Sequence, residues 1–155
     1  MTIQERLLNL RKQMKEKEID IYIVPTADFY QTEYVGEYFK ARKYITNFSG
    51  SAGTAVITAD EARLWTDGRY FIQAAEQIAG TTVELMKMGE PGVPAINSYL
   101  SDTLKEGGNI GFDGRVTAMG SGIAYEKTAA KKNGKIIYEY DLVGEIWKDR
   151  PALSE

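Results

Sequence analysis

Apolar and polar positions along the chain follow two alternating periods, and those periods predict its elements. Ile3, Leu7, Leu10 and Met14 recur at three- and four-residue spacing, predicting an amphipathic helix to about Lys17. Thr2 followed by Glu5 reads as a capping box that starts it. The apolar run Ile21 to Val24, stopped by Pro25, predicts a buried strand. Thr54 to Thr58 and Arg63 to Trp65 predict a hairpin with Asp60 and Glu61 in its turn. A helix from Tyr70 to Ile78, closed by Gly80, follows. Then come a strand at Val83 to Met88, a loop at Pro91 to Pro94, and a helix from Ala95 to Leu104 ended by Gly107 and Gly108. The last elements are a strand at Asn109 to Phe112, a helix at Ile123 to Lys132, a strand at Lys135 to Tyr140 and a short helix at Leu142 to Trp147. Helices between successive strands require crossovers, so the expected fold is one α/β domain with a mixed, largely parallel sheet flanked by helices. No internal repeat or low-complexity tract stands out.

Composition narrows the chemistry more than the fold. A chain of 155 residues suits one compact domain. Nineteen Lys plus Arg against 22 Asp plus Glu give a net charge of -3, which argues against a nucleic-acid partner. The chain has no Cys and no His, so thiolate nucleophiles, cysteine zinc sites and the usual neutral-pH general base are excluded. Met1 to Asp20 is charged throughout and lacks the apolar core of a signal peptide, and no window is long and apolar enough for a membrane span. A cytoplasmic location is the expectation. Lys148-Asp149-Arg150-Pro151 has the character of a domain boundary, dividing a domain over 1–150 from the start of a linker over 151–155.

Most candidate motifs dissolve on inspection. Ser49-Gly50-Ser51-Ala52-Gly53 is reminiscent of a nucleophile elbow, but Ser49 stands where a Gly is needed and no His exists to activate a serine; a tight turn is the reading. Gly120-Ser121-Gly122 begins a dinucleotide fingerprint that Tyr125 interrupts. Asp102, Asp113, Glu126, Glu139 and Asp141 share no spacing and read as surface charge, as do Lys127, Lys131, Lys132 and Lys135. The segment Trp65-Thr66-Asp67-Gly68-Arg69-Tyr70-Phe71 is different, because it places a carboxylate and a cation between bulky aromatics where a strand meets a helix. Two readings stay open from the residues. Either Asp67 caps the helix and Arg69 pairs locally, or the group faces a ligand, as strand ends in α/β proteins do.

The same segment, together with Ile23-Val24-Pro25, Gln31-Thr32-Glu33-Tyr34 and Phe48-Ser49-Gly50-Ser51-Ala52-Gly53-Thr54, resembles the N-terminal domain of Xaa-Pro aminopeptidases (aminopeptidase P). Leu85-Met86-Lys87-Met88-Gly89, Asp141-Leu142-Val143 and Ile146 to Pro151 extend the resemblance, which runs from about Ile21 to Pro151. The likeness is greatest to the long, three-domain form of that enzyme. It implies a creatinase-like α/β domain with a mixed sheet of about six strands. It also implies that the chemistry lies elsewhere, in a C-terminal pita-bread domain. There two divalent metals, usually manganese, are held by two Asp, one His and two Glu, and an amino-terminal residue preceding proline is released.

By the same resemblance this chain is a non-catalytic domain of a metallopeptidase, with no cofactor of its own. Its partners are the catalytic domain of the same polypeptide and a proline-containing peptide, and a homodimer is expected because relatives are often dimers. Arg69 matches the family's substrate-contacting Arg, with Asp67 orienting it or capping its helix, and Tyr34 and Glu33 lining the same cleft. Where relatives often carry His before the Gln-Ser-Glu-Tyr stretch, Tyr30 stands here. Two other readings remain: a free-standing peptide- or protein-binding module, and the N-terminal domain of a prolidase or creatinase-like enzyme. The Trp65 to Phe71 string argues against the last.

Overall fold

A computed structural model describes residues 2–25, 41–50, 53–115, 117 and 119–147. Along those residues the chain runs α1 (Ile3–Glu16), β1 (Ile21–Pro25), α2 (Ala41–Thr46), β2 (Thr54–Thr58), β3 (Ala62–Thr66), a single 3-10 turn (Gly68–Tyr70), α3 (Phe71–Ile78) and β4 (Val83–Lys87). It continues through α4 (Ile96–Thr103), β5 (Ile110–Phe112), α5 (Met119–Lys131), β6 (Ile136–Ile137) and α6 (Leu142–Ile146). The strands described form one sheet in the order β4-β3-β2-β1-β5-β6. The β2 strand is antiparallel to both of its neighbours, β1 and β3, while the β3–β4, β1–β5 and β5–β6 ladders are parallel. The expected mixed, mostly parallel sheet is therefore observed.

The alternation of β1 shows why the sheet needs cover on both faces. Tyr22 and Val24 point into one apolar layer with Leu7, Leu10, Ile45 and Leu142 from α1, α2 and α6. Ile21 and Ile23 point into the other, with Leu100, Tyr125 and Ala129 from α4 and α5. Each buried Leu, Ile or Met stabilises by about 1.5–3 kcal/mol, so the Leu7–Leu10–Met14 stripe fixes α1 firmly to the sheet. The N-cap half of the expected capping box forms, with Glu5 N donating to Thr2 Oγ1 at 3.1 Å, while the Glu5 carboxylate accepts from the Thr2 hydroxyl at 3.3 Å.

Helix α2 has no counterpart among the predicted elements, and two predicted elements, α5 and β6, differ from the structure by more than a residue at an end. The α5 helix starts at Met119 rather than Ile123, taking Gly120 and Gly122 into its first turn. Glycine costs about 1 kcal/mol in a helix interior, but first-turn amides have no intrahelical partner, so the penalty there is small. The packing of Tyr125 on Phe112, with ring centroids 5.5 Å apart, carries the helix onto the sheet. The last strand is confined to Ile136–Ile137 rather than Lys135 to Tyr140, because its neighbour β5 is only three residues long. The boundary at Lys148 to Pro151 lies outside the described residues.

One side chain ties the end of the fold back to its centre. The Tyr22 hydroxyl donates to Tyr140 O at 2.8 Å and accepts from Leu142 N at 3.1 Å, joining β1 to the entry of α6. Burial pushes its phenol pKa well up, so it stays a neutral donor. Replacing Tyr22 with Phe leaves the Leu142 amide without this acceptor in a buried place, which costs about 1–3 kcal/mol. Urea denaturation is expected to show that loss, and an unchanged midpoint would refute the assignment.

Candidate functional site

The sheet register decides which loops meet. Pro25 pairs with Thr54, and Thr54 pairs with Trp65. The carboxyl ends of β1 and β3 and the amino end of β2 therefore lie on one edge. The turn leading into β2 and the Asp67 to Tyr70 turn leaving β3 rise from that edge together.

Asp67 performs both local roles that its sequence allowed. Its Oδ1 accepts from Arg69 N at 3.0 Å, capping the 3-10 turn, and from Arg69 Nε at 3.1 Å. Its Oδ2 accepts from Arg69 Nη2 at 2.9 Å, completing a two-pronged fork. The hydrogen bonds from the Arg69 side chain hold the Asp67 carboxyl below its usual range. The Arg69 side chain is 69% exposed, against 38% for Asp67, and its guanidinium lies 5.1 Å from the Tyr70 ring centroid. The result is an exposed cation whose aim is set by a carboxylate on one edge and an aromatic ring beneath. Tyr34 and Glu33, the other two site candidates, lie outside the described residues, as do Tyr30 and Ser51.

Beneath this fork stands a residue that the sequence reading passed over. Arg42, on α2, is only 5% exposed. Its Nη1 donates to Gly53 O at 3.2 Å, and its Nη2 donates to Phe48 O at 3.4 Å and to Gly50 O. The guanidinium also lies 4.7 Å from the Phe48 ring centroid. Burial lowers its pKa to about 10, so it remains a cation at neutral pH. The signal that could have found it is the glycine-rich approach to β2: the carbonyls of Phe48, Gly50 and Gly53 lie close to the Arg42 guanidinium, and buried carbonyls need donors. The chain approaches so closely that a Cβ on Gly53 would stand 3.0 Å from Arg42 Nη1 and 3.1 Å from Trp65 O.

The outer side of this turn is held by α3. Ser49 N donates to Gln77 Oε1 at 2.9 Å, and Ser49 Oγ accepts from Gln77 Nε2 at 2.8 Å and Gln73 Nε2 at 3.3 Å. Asn47, at φ +71, ends α2 and donates from Nδ2 to Gln77 O at 2.8 Å. Ser49 is thus bonded as a turn residue.

Asp113 and Asp141 correct the reading of scattered surface charge. Asp113 is 8% exposed and accepts from Arg115 N, Nε and Nη2 at 3.0, 3.1 and 3.0 Å. Arg115 Nη2 also lies 3.6 Å from Asp141 Oδ2, while Asp141 Oδ1 accepts from Gly144 N at 2.9 Å to cap α6. Asp113-Gly114-Arg115, leaving β5, thus repeats the Asp67-Gly68-Arg69 fork, leaving β3. Among the described residues no three acidic side chains gather into a set that could hold a metal ion. At the opposite end of the sheet an open groove of about 830 Å³, lined by Arg11, Lys12, Glu18, Asp60 and Lys105 among others, mixes both signs of charge.

Comparison with known proteins gives this arrangement its context. The chain is 42% identical over 153 residues to aminopeptidase P2 of Arabidopsis thaliana, covering 96% of this chain and 21% of that protein. It is 44% identical over 152 residues to aminopeptidase P1 of the same plant, covering 96% of this chain and 23% of that one. This chain therefore spans less than a quarter of the length of these relatives. The crystal structure of an X-prolyl aminopeptidase from Caenorhabditis elegans, described as a cytosolic enzyme with a di-nuclear active site, superposes with a TM-score of 0.91 at 34% identity. That match covers 99% of this chain and 27% of that one. The N-terminal domain of the peptidase PepQ from Mycobacterium tuberculosis superposes with a TM-score of 0.63 at 26% identity, covering 92% and 98%. The creatinase/prolidase N-terminal domain model matches residues 6–138, and the chain belongs to that family.

Proposed function

We propose that the chain is the non-catalytic N-terminal domain of a Xaa-Pro aminopeptidase, and that it holds the peptide substrate through Arg69 from across a domain interface. The observation that carries this reading is coverage: 96% of the chain matches aminopeptidase P2, yet that match takes up only 21% of the larger protein. The rest of such a protein has room for the metal-binding machinery that the described residues do not assemble. The X-prolyl aminopeptidase superposes with a higher TM-score and identity than the PepQ domain, which supports the aminopeptidase reading.

On this reading the metals, manganese ions, belong to the catalytic part, whose chemistry is metal-assisted hydrolysis. The chain's own contribution is orientation. A guanidinium fixed along its Nε–Nη2 edge by Asp67 meets a peptide carbonyl or carboxylate in a set direction, so less freedom is lost on binding. Tyr34 and Glu33 line the same cleft, and a homodimer belongs to the same proposal. A cytoplasmic setting fits the neighbour described as cytosolic and the absence, among the described residues, of a helix long and apolar enough to cross a membrane.

Two outcomes are expected. The 155-residue chain, supplied with manganese and a Xaa-Pro peptide, releases no amino-terminal residue, and release detected by mass spectrometry would overturn the assignment. In the longer metallopeptidase form, Arg69→Ala removes a charge-assisted hydrogen bond of about 1.5–3 kcal/mol and lowers kcat/KM about ten- to a hundredfold. Unchanged kinetics would sink the role of Arg69.

A further inference from the structure

We propose that Arg42 is a positioning residue for Arg69, acting through a relay of stacked side chains rather than by touching substrate. This rests on the reading of Arg69 as the substrate contact. The relay has three links, each within contact range. The Arg42 guanidinium lies 4.7 Å from the Phe48 ring centroid. The Phe48 ring, fully buried, meets the Tyr70 ring edge-on with centroids 6.0 Å apart. Tyr70 in turn lies 5.1 Å beneath the Arg69 guanidinium.

What makes Arg42 the anchor is its bonding to backbone. By donating to the carbonyls of Phe48, Gly50 and Gly53 it fixes the turn that carries the Phe48 ring. Thr46 locks the same stretch from the other side, its hydroxyl donating to Arg42 O at 2.7 Å and accepting from Phe48 N at 3.1 Å. Edge-to-face rings have a preferred geometry, so a fixed Phe48 ring holds the Tyr70 ring at a set angle. Tyr70 then restricts where Arg69 can stand. Asp67 alone does not fix that position, because a fork between two neighbouring exposed side chains can swing as a unit. The ring beneath adds a restraint from outside the fork. A buried cation placed only to stabilise the turn would have no consequence at the exposed fork, and this is the difference an experiment can read.

The test uses the 155-residue chain and NMR, following two signals that need no substrate: the titration of the Asp67 carboxyl and the order of the Arg69 Nε–H. Arg42→Lys keeps the charge but loses the planar fork. Tyr70→Leu cuts the relay at its half-buried end while leaving in place the carbonyls that Arg42 donates to. Both variants are expected to raise the Asp67 midpoint toward the ordinary carboxylate range and to loosen the Arg69 Nε–H, while Tyr70→Phe, which keeps the ring, behaves like the parent. A folded Arg42→Lys chain that loses thermal stability but leaves both signals unchanged would reduce Arg42 to a structural role and overturn the proposal. Should Arg42→Lys fail to fold, Tyr70→Leu decides alone, since unchanged signals there break the relay at its last link. Loss of kcat/KM in Arg69→Ala reports on the substrate contact independently, so either idea can fail without the other.

Discussion

A charged guanidinium held away from water among backbone carbonyls is the constraint on which the Arg69 end of the sheet depends. A buried cation is tolerable only where acceptors surround it, and the turn from Phe48 to Gly53 supplies them. The dependence runs both ways. Without Arg42 the turn would bury carbonyls with fewer donors, and without the turn Arg42 would be a charge in an apolar layer. Neither arrangement is stable by half. The edge from which Arg69 projects is therefore fixed by a mutual requirement rather than by apolar packing alone, which is non-directional.

The sheet provides the frame for this pairing. Because β1 is buried on both faces, α1, α2 and α6 must cover one side and α4 and α5 the other. The short α2 helix has no long apolar stripe to fix its angle. Its docking is set by Tyr44 and Ile45 in the core, by the Tyr44–Trp147 stack at 4.7 Å, and by Arg42 itself. A helix of six residues is marginal by propensity, so these tertiary contacts decide its place.

Where periodicity was strong, the elements were legible before any coordinates: α1 through its three- and four-residue spacing, the β2–β3 hairpin through Asp60 and Glu61, and α3 through Gly80. Asp67 and Arg69 were legible as a pair because they share one turn. Arg42 was not, since a buried Arg and an exposed one leave the same mark in a sequence when neighbours such as Lys43 are also charged. Asp113 and Asp141 were misread for a related reason. Asp113 shares one turn with Arg115 but gives no sign of its burial in the sequence, and Asp141, far along the chain, reaches Arg115 only because α6 returns to the end of β5. The limits of α5 and β6 depended on partners elsewhere in the fold, which local pattern does not reveal.

The repeated Asp-Gly-Arg turn has a consequence for how this edge meets other molecules. Each of the two fork arginines carries its own carboxylate, and Arg115 has a second within 3.6 Å, so each fork presents directional donors with little net charge of its own. Attraction that draws an anion from about a Debye length away requires unbalanced charge, and within each fork the charges cancel over a few ångströms. The forks themselves thus add little steering, and each guanidinium acts only once a partner is within hydrogen-bonding reach. Discrimination at the forks falls on geometry at close range, on where two donors in a fixed plane can both find an acceptor.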